Sequence, residues 1–206
     1  MPFTSLPLTD LLAAFRSPDP APGGGSASAL AGAVGASLLA MVAALPKTGA
    51  KTEADEERFR GAGRRCAATS VQLATLIDRD SDAYDEVMAA YRLPKTSDAE
   101  KAARSAEIQR ALRGAIAPPL GVMRACVSAV EDAMVVADFG NPSAASDVQV
   151  ALELLAAALR GARLNVEINL ESVKDPAYVG DVREEAAMLE RRLKETADAV
   201  RRALRR

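Results

Sequence analysis

The 206-residue chain has no histidine, no tryptophan, two cysteines and only seven aromatic residues, Phe3, Phe15, Phe59, Tyr84, Tyr91, Phe139 and Tyr178. Without imidazole, any general acid or base must be Asp, Glu, Lys, Tyr or Cys, and a zinc site would lack its usual nitrogen ligands. So few aromatics cannot furnish the core of an all-β fold. Cys66 and Cys126 lie far apart and follow no secretory leader, so they are expected to be free, buried thiols of a cytoplasmic protein, and a disulfide scaffold is excluded. An excess of one charge is also missing. The 26 basic and 28 acidic residues give −2 and are spread along the chain, which offers no electrostatic footprint for nucleic acid.

What is abundant is alanine, 44 of the 206 residues. That alphabet favours helices packed closely through small side chains, and periodicity and punctuation predict an all-α bundle of about six. The segments are 6–15, 26–45, 53–92, 97–137, 143–171 and from Pro176 to the C-terminus. Several are very long. The 53–92 segment is one helix, or two with a weak point at Gly61 and Gly63. Ser97 and Glu100 form a capping box for the next, and Pro118-Pro119 should kink it. No linker or internal repeat divides the chain, so residues 1–206 are read as a single domain.

Residues 26–45 carry no charge and are long enough to cross a bilayer. They lack an aromatic belt and a stop-transfer cluster, however, and Ser28, Gly32, Ala36 and Ala40 form a small-residue stripe. The favoured reading is a helix buried in a bundle rather than a membrane span. The Arg-rich C-terminal segment also holds five Asp/Glu from residue 183 onward and reads as a solvated face.

Four places invite a chemical reading. Pro22-Gly23-Gly24-Gly25-Ser26 leads straight into the uncharged helix; it is either an anion-holding helix start or a flexible loop with Ser26 as the N-cap. Around residue 80, Asp78, Asp82 and Asp85 share one helix face while Asp80 projects about 200° away at ~100° per residue, toward the packed side. A carboxylate there needs a partner or a task. Gly140-Asn141-Pro142-Ser143-Ala144-Ala145-Ser146-Asp147 can be a turn with a capped helix. Asn165 and Asn169, one turn apart, share a face with Asp147, which lies roughly 27 Å earlier at ~1.5 Å per residue. These are either buried amides or the two ends of a groove for a long ligand, completed by another subunit.

Taken in order, these segments resemble the cyclodeaminase/cyclohydrolase family, which comprises the cyclodeaminase domain of formiminotransferase-cyclodeaminases and stand-alone methenyltetrahydrofolate cyclohydrolases. The matching strings are APGGGSASA, Asp80 with Ala83-Tyr84, MAAYRLPK ending at Lys95, EKAAR through Gln109, GNPSAASD and GARLNVEINL. The resemblance implies a dimeric all-helical enzyme acting on the one-carbon unit between N5 and N10 of tetrahydrofolate, with the folate as substrate and no metal or redox cofactor. It also implies Asp80 and Lys95 as catalytic proton carrier and polarising group. Gly23, Gly24, Gly25, Ser26, Asn141, Ser146, Asp147, Asn165 and Asn169 then bind substrate. The family's adjacent basic pair and aromatic are reduced here to Gly49-Ala50-Lys51-Thr52-Glu53, so that tail anchoring is relocated or activity reduced. The leading expectation is hydrolysis of 5,10-methenyltetrahydrofolate to 10-formyltetrahydrofolate. The alternatives are formimidoyltetrahydrofolate cyclodeaminase and a non-catalytic helical folate-binding protein.

Overall fold

The computed structural model describes residues 2–46 and 48–205. Six α-helices run in chain order: α1 Leu8–Arg16, α2 Gly24–Ala44, α3 Glu53–Tyr91, α4 Asp98–Phe139, α5 Ala145–Leu170 and α6 Pro176–Ala203. Helix starts follow local chemistry. Thr52 caps α3, the Ser97/Glu100 capping box is formed at α4, and Asp175 caps α6 ahead of Pro176. The third helix passes Gly61 and Gly63 without a break, and α4 continues through Pro118 and Pro119.

Helices α2 to α5 close a four-membered ring in which α2 packs on α3 and α5, and α4 packs on both from the other side. Neighbours are antiparallel. A Cβ at Gly25 would fall on Asp80, whereas one at Gly63 would meet Ala43; one at Gly24 would touch Asn165, whereas one at Gly35 would touch Leu155. The sixth helix lies parallel to α4, tied by Arg113 to Asp175, Arg124 to Glu185 and Arg192 to Glu131. Surface pairs of this kind contribute little individually, ~0–1 kcal/mol, and act mainly as register marks.

One continuous hydrophobic core fills the ring, drawing Leu39 and Val42 from α2, Leu73 from α3, Met123 and Val130 from α4, and Leu152, Leu155 and Leu159 from α5. The inward face of helix α2 packs closely because its side chains are small. Ala29, Ala36 and Leu39 are fully buried, and a Cβ at Gly32 would press tightly on Leu73, Ala158 and Cys126. Both cysteines are free and buried, and burial pushes each thiol up to about 12, too high to serve as a base at neutral pH.

Up-down-up-down order gathers the start of α2, the later part of α3, the first half of α4 and the end of α5 at one end of the bundle. The opposite end holds the last turn of α2, the end of α4 and the start of α5. The α3/α4 hairpin overshoots the first end, since α3 continues for 11 residues past Asp80 to Tyr91, about 16 Å at ~1.5 Å per residue.

Two glycine substitutions with opposite signs check this packing. A Cβ at Gly35 would lie 3.0 Å from the Ala151 carbonyl oxygen and 3.0 Å from Leu155 Cγ. Gly35→Val should therefore destabilise the fold by about 1–3 kcal/mol. Gly180, inside α6, has nothing within 4 Å of such a Cβ, and Gly180→Ala should stabilise by up to about 1 kcal/mol. Differential scanning calorimetry reads both as shifts in Tm.

Candidate active site

The first end of the bundle contains a cleft of about 310 Å³ lined by Pro20, Ala21, Gly23, Gly24, Asp80, Ser81, Tyr84, Val87, Leu112, Ala115, Asn165 and Asn169. Four separate stretches of sequence thus converge. The glycine run, Asp80 and the two asparagines are brought together as expected, with Gly25 and Ser26 directly behind.

Asp80 is half-buried, on the inward phase of α3. Asp82 and Asp85 face solvent, but Asp78 does not simply do so: its carboxylate accepts from the Phe3 amide and the Thr4 hydroxyl, anchoring the N-terminal segment. Helix α2 starts at Gly24 with Gly23 as its N-cap, and no side chain of its own caps it. The Asp80 carboxylate arrives from α3 to fill that position. Gly25 makes this possible, since any Cβ there would collide with the carboxylate.

The sequence offered Ser26 as an N-cap, and the structure corrects this. Ser26 is the third residue of α2 and fully buried, and its hydroxyl donates to the Ile77 carbonyl at 2.9 Å and lies 3.1 Å from Asp80 Oδ2. A cap must precede the first turn, and two further glycines let the helix begin earlier than a Ser-based start would. Burial raises the Asp80 pKa above the ordinary carboxylate range, and the hydroxyl and amide of Ser26 counter part of that rise. The site therefore presents a carboxyl group poised to exchange a proton, held against a helix start whose partial positive charge favours its anion.

Asn165 Nδ2 donates to the Gly161 carbonyl at 2.9 Å, and Asn169 Nδ2 donates to the Ala115 carbonyl of α4 at 2.8 Å. Tyr84, one turn beyond Asp80, and the α4 residues Leu112 and Ala115 complete the wall. Helical phase could have added Tyr84 to the expected site. No local signal marks Leu112 or Ala115, because only the packing of α4 against α5 brings them here.

The remaining expected residues stand elsewhere. Lys95 is exposed on the α3/α4 hairpin tip and does not line the cleft. Asn141, Ser146 and Asp147 lie at the opposite end. Asn141 there serves as a turn former: Oδ1 accepts from the Ser143 amide at 3.0 Å and Nδ2 donates to the Pro46 carbonyl at 3.2 Å. With Gly49, Pro142, Ala145 and Leu204 it borders a second cavity of about 340 Å³. Ser146 is exposed and Asp147 half-buried in the first turn of α5. Within the chain the two clusters are separated by most of the length of α5.

Comparison with known proteins gives a consistent picture. A family model described as formiminotransferase-cyclodeaminase matches residues 7–188. Methenyltetrahydrofolate cyclohydrolase of Methylorubrum extorquens is 41% identical over 162 residues, covering 77% of this chain and 76% of that protein. Formimidoyltransferase-cyclodeaminase of Sus scrofa is 33% identical over 183 residues, 89% of this chain but only 34% of that longer protein. The crystal structure of formiminotetrahydrofolate cyclodeaminase from Thermotoga maritima matches with a TM-score of 0.86 and 26% identity, covering 98% of this chain and 96% of the other.

Carbon-detected NMR titration should find the Asp80 carboxyl above the usual carboxylate range, and Ser26→Ala should move it higher, because a group that stabilises the anion is lost. With the folded value raised, Asp80's favourable contribution is complete below the unfolded pKa and is lost as pH rises through the folded one. Asp80→Asn should therefore gain in Tm relative to wild type across that rise. A flat difference in Tm would contradict the assigned environment.

Proposed function

The chain belongs to the formiminotransferase-cyclodeaminase family, and we propose that it acts in folate-dependent one-carbon metabolism as a cytoplasmic enzyme hydrolysing 5,10-methenyltetrahydrofolate to 10-formyltetrahydrofolate. The observation that carries this reading is the half-buried Asp80 carboxyl at the start of α2, in a cleft walled by the glycine run and two asparagines, in a chain 41% identical to a methenyltetrahydrofolate cyclohydrolase.

The chemistry needs one proton carrier near the carbon bridging N5 and N10. Ionised Asp80 takes a proton from water as its oxygen bonds to that cationic carbon, giving a neutral carbinol. The C–N5 bond then breaks as N5 gains a proton and the hydroxyl loses one, leaving the formyl group on N10 and one proton released overall. A carboxyl whose pKa is raised by burial suits both taking and returning the proton. Lys95 supplies polarising charge from the hairpin tip, where the outer part of the ligand reaches it or the partner subunit carries it in. A second reading, formimidoyltetrahydrofolate cyclodeaminase, is favoured by the Thermotoga maritima structure, matched over 98% of this chain. There N10 attacks the formimino carbon and the same carboxyl helps ammonia leave protonated.

A cleft of about 310 Å³ is at the low end of small-molecule sites, ~300–1,000 Å³. It holds a ring system but leaves the rest of a folate outside. The outer surface of α2 and α5 supplies the remedy. Helix α2 is uncharged throughout, and among the described residues it is the one helix long and apolar enough to span a membrane. Its outward Val34 and Met41 are exposed, as are Val150, Leu164 and Ile168 of α5. We read this surface as the interface of a homodimer, with a second copy rather than lipid or nucleic acid as its partner. An antiparallel two-fold pairing across α5 sets Ser146 and Asp147 of one protomer beside Asn165 and Asn169 of the other.

A single assay offering both 5,10-methenyl- and 5-formiminotetrahydrofolate tests the reaction. Turnover of the first should dominate, and Asp80→Asn should cut kcat about a hundredfold or more while largely keeping affinity. Binding without turnover by the wild-type chain would leave only a folate-binding role. Asp80→Asn and Asp147→Asn chains, each inactive, should recover activity when co-expressed, because a heterodimer keeps one intact composite site. No recovery in verified heterodimers would exclude the shared site.

A further inference from the structure

Proline has no amide hydrogen, so within a helix it leaves the carbonyl four residues earlier without its usual donor. Pro118 and Pro119, both inside α4, release the carbonyls of Gly114 and Ala115. The two fates differ. Gly114 is exposed and borders a separate surface cavity, where water can serve it. Ala115 is buried, and a buried carbonyl without a donor is costly. Asn169 supplies the donor, its Nδ2 lying 2.8 Å from the Ala115 oxygen.

That bond fixes which way the Asn169 amide points. Two acceptor oxygens cannot share a hydrogen bond, so the atom against the Ala115 carbonyl must be nitrogen, and Oδ1 is turned the other way. The same holds for Asn165, whose Nδ2 is spent on the Gly161 carbonyl. Neither Oδ1 accepts a bond from a described residue, and among the described residues no buried side-chain polar atom lacks a partner. Both oxygens therefore reach the open cleft that these side chains line. With the Asp80 carboxylate beside them, the two asparagine oxygens give this part of the wall an acceptor character.

We infer that Pro119 is a positioning residue: by freeing the Ala115 carbonyl it locks Asn169 as a hydrogen-bond acceptor, so that the Asn165/Asn169 wall selects a ligand edge bearing adjacent N–H donors. Resting on the folate reading above, that edge is the 2-amino and ring N–H side of the pterin, an amidine-like pair of donors. An isosteric ring with acceptors at those positions would face oxygen against oxygen and be rejected.

The test separates this role from a merely structural one because the two move in opposite directions. Pro119→Ala restores a helical N–H to Ala115 and improves helix propensity, so Tm should rise. The Asn169 amide then shares the Ala115 oxygen with a helical N–H, and its weaker hold should raise KM for the reduced folate by up to about tenfold, the equivalent of one hydrogen bond, with kcat nearly unchanged. Pro118→Ala, which affects only the solvent-facing Gly114 carbonyl, should leave KM alone. Asn169→Asp should bind poorly in the wild-type background, where a carboxylate faces the freed carbonyl. It should regain affinity when combined with Pro119→Ala, which leaves the carboxylate free to accept from the ligand.

The lock is also read without any substrate. The Asn169 side-chain amide protons should exchange slowly in the free protein by NMR and quickly in Pro119→Ala. Unchanged protection in that variant would overturn the lock, and lost protection with unchanged KM would overturn its part in recognition. Equal affinity of Asn169→Asp in both backgrounds would do the same. If the wild-type chain binds no reduced folate, the functional reading falls, while the exchange measurement still decides whether Pro119 locks Asn169.

Discussion

The fold depends on how closely the neighbouring helices can approach the backbone of α2. Its 21 residues carry no charge and little bulk, so α3 and α5 settle against the helix itself, and the gain comes from dispersion and apolar burial over a long, narrow contact. Gly32 and Gly35 set the spacing in the middle of the bundle. At Gly25 the same tolerance serves chemistry, because the absent side chain is replaced by a carboxylate from α3. Packing and the proposed chemistry thus draw on one property, and the cleft is an extension of the core rather than an addition to its surface.

The helices were legible in the sequence because their signals are local. Ser97 with Glu100, Pro176 after Asp175, and Pro94 beyond the end of α3 mark boundaries that depend on a few adjacent residues. Asp80 was legible for a related reason: helical phase separates it from Asp82 and Asp85, and the structure places those two in solvent and Asp80 against α2. Asp78 escaped the same reasoning because its partners, Phe3 and Thr4, lie more than seventy residues away. For Ser26 the capping alternative fails for the opposite reason, a strong local preference for capping overridden by burial and by the Ile77 carbonyl. The role of Asn169 could not be read locally at all. Its partner is made available by a proline on a different helix, and pattern reasoning treats that proline only as a kink.

In a chain without histidine, the proposed function places the proton chemistry on a carboxyl, and a carboxyl in water is too acidic to take a proton readily at neutral pH. Burial corrects the mismatch by raising its pKa, and Ser26 keeps the correction moderate. Among the described residues the cleft lining contributes no lysine or arginine beside Asp80, so the described lining supplies no strong counter-charge. Under the proposed function the ligand brings one, because the carbon bridging N5 and N10 is part of a delocalised cation. Its arrival favours the carboxylate over the acid, so the base becomes ionised when its target is in place.

The formimino group of the alternative substrate is also an amidine-type cation when protonated, and it would draw Asp80 into the same ionised state. The carboxylate therefore serves both reactions equally well, and the choice between them is a matter of which nucleophile lies in line with the carbon. Water attack requires an open approach to the carbon on the Asp80 side, where the carboxylate can take the water's proton. Internal attack by N10 requires that approach closed and the ligand folded so that N10 stands over the formimino carbon. In a single protomer the cleft is open at its outer end, where Tyr84 stands partly exposed. A partner subunit bringing the start of its α5 to that end would decide how much of the opening remains. On this arrangement the catalytic group is set by the fold of one chain, and the reaction it performs by the fit of the second.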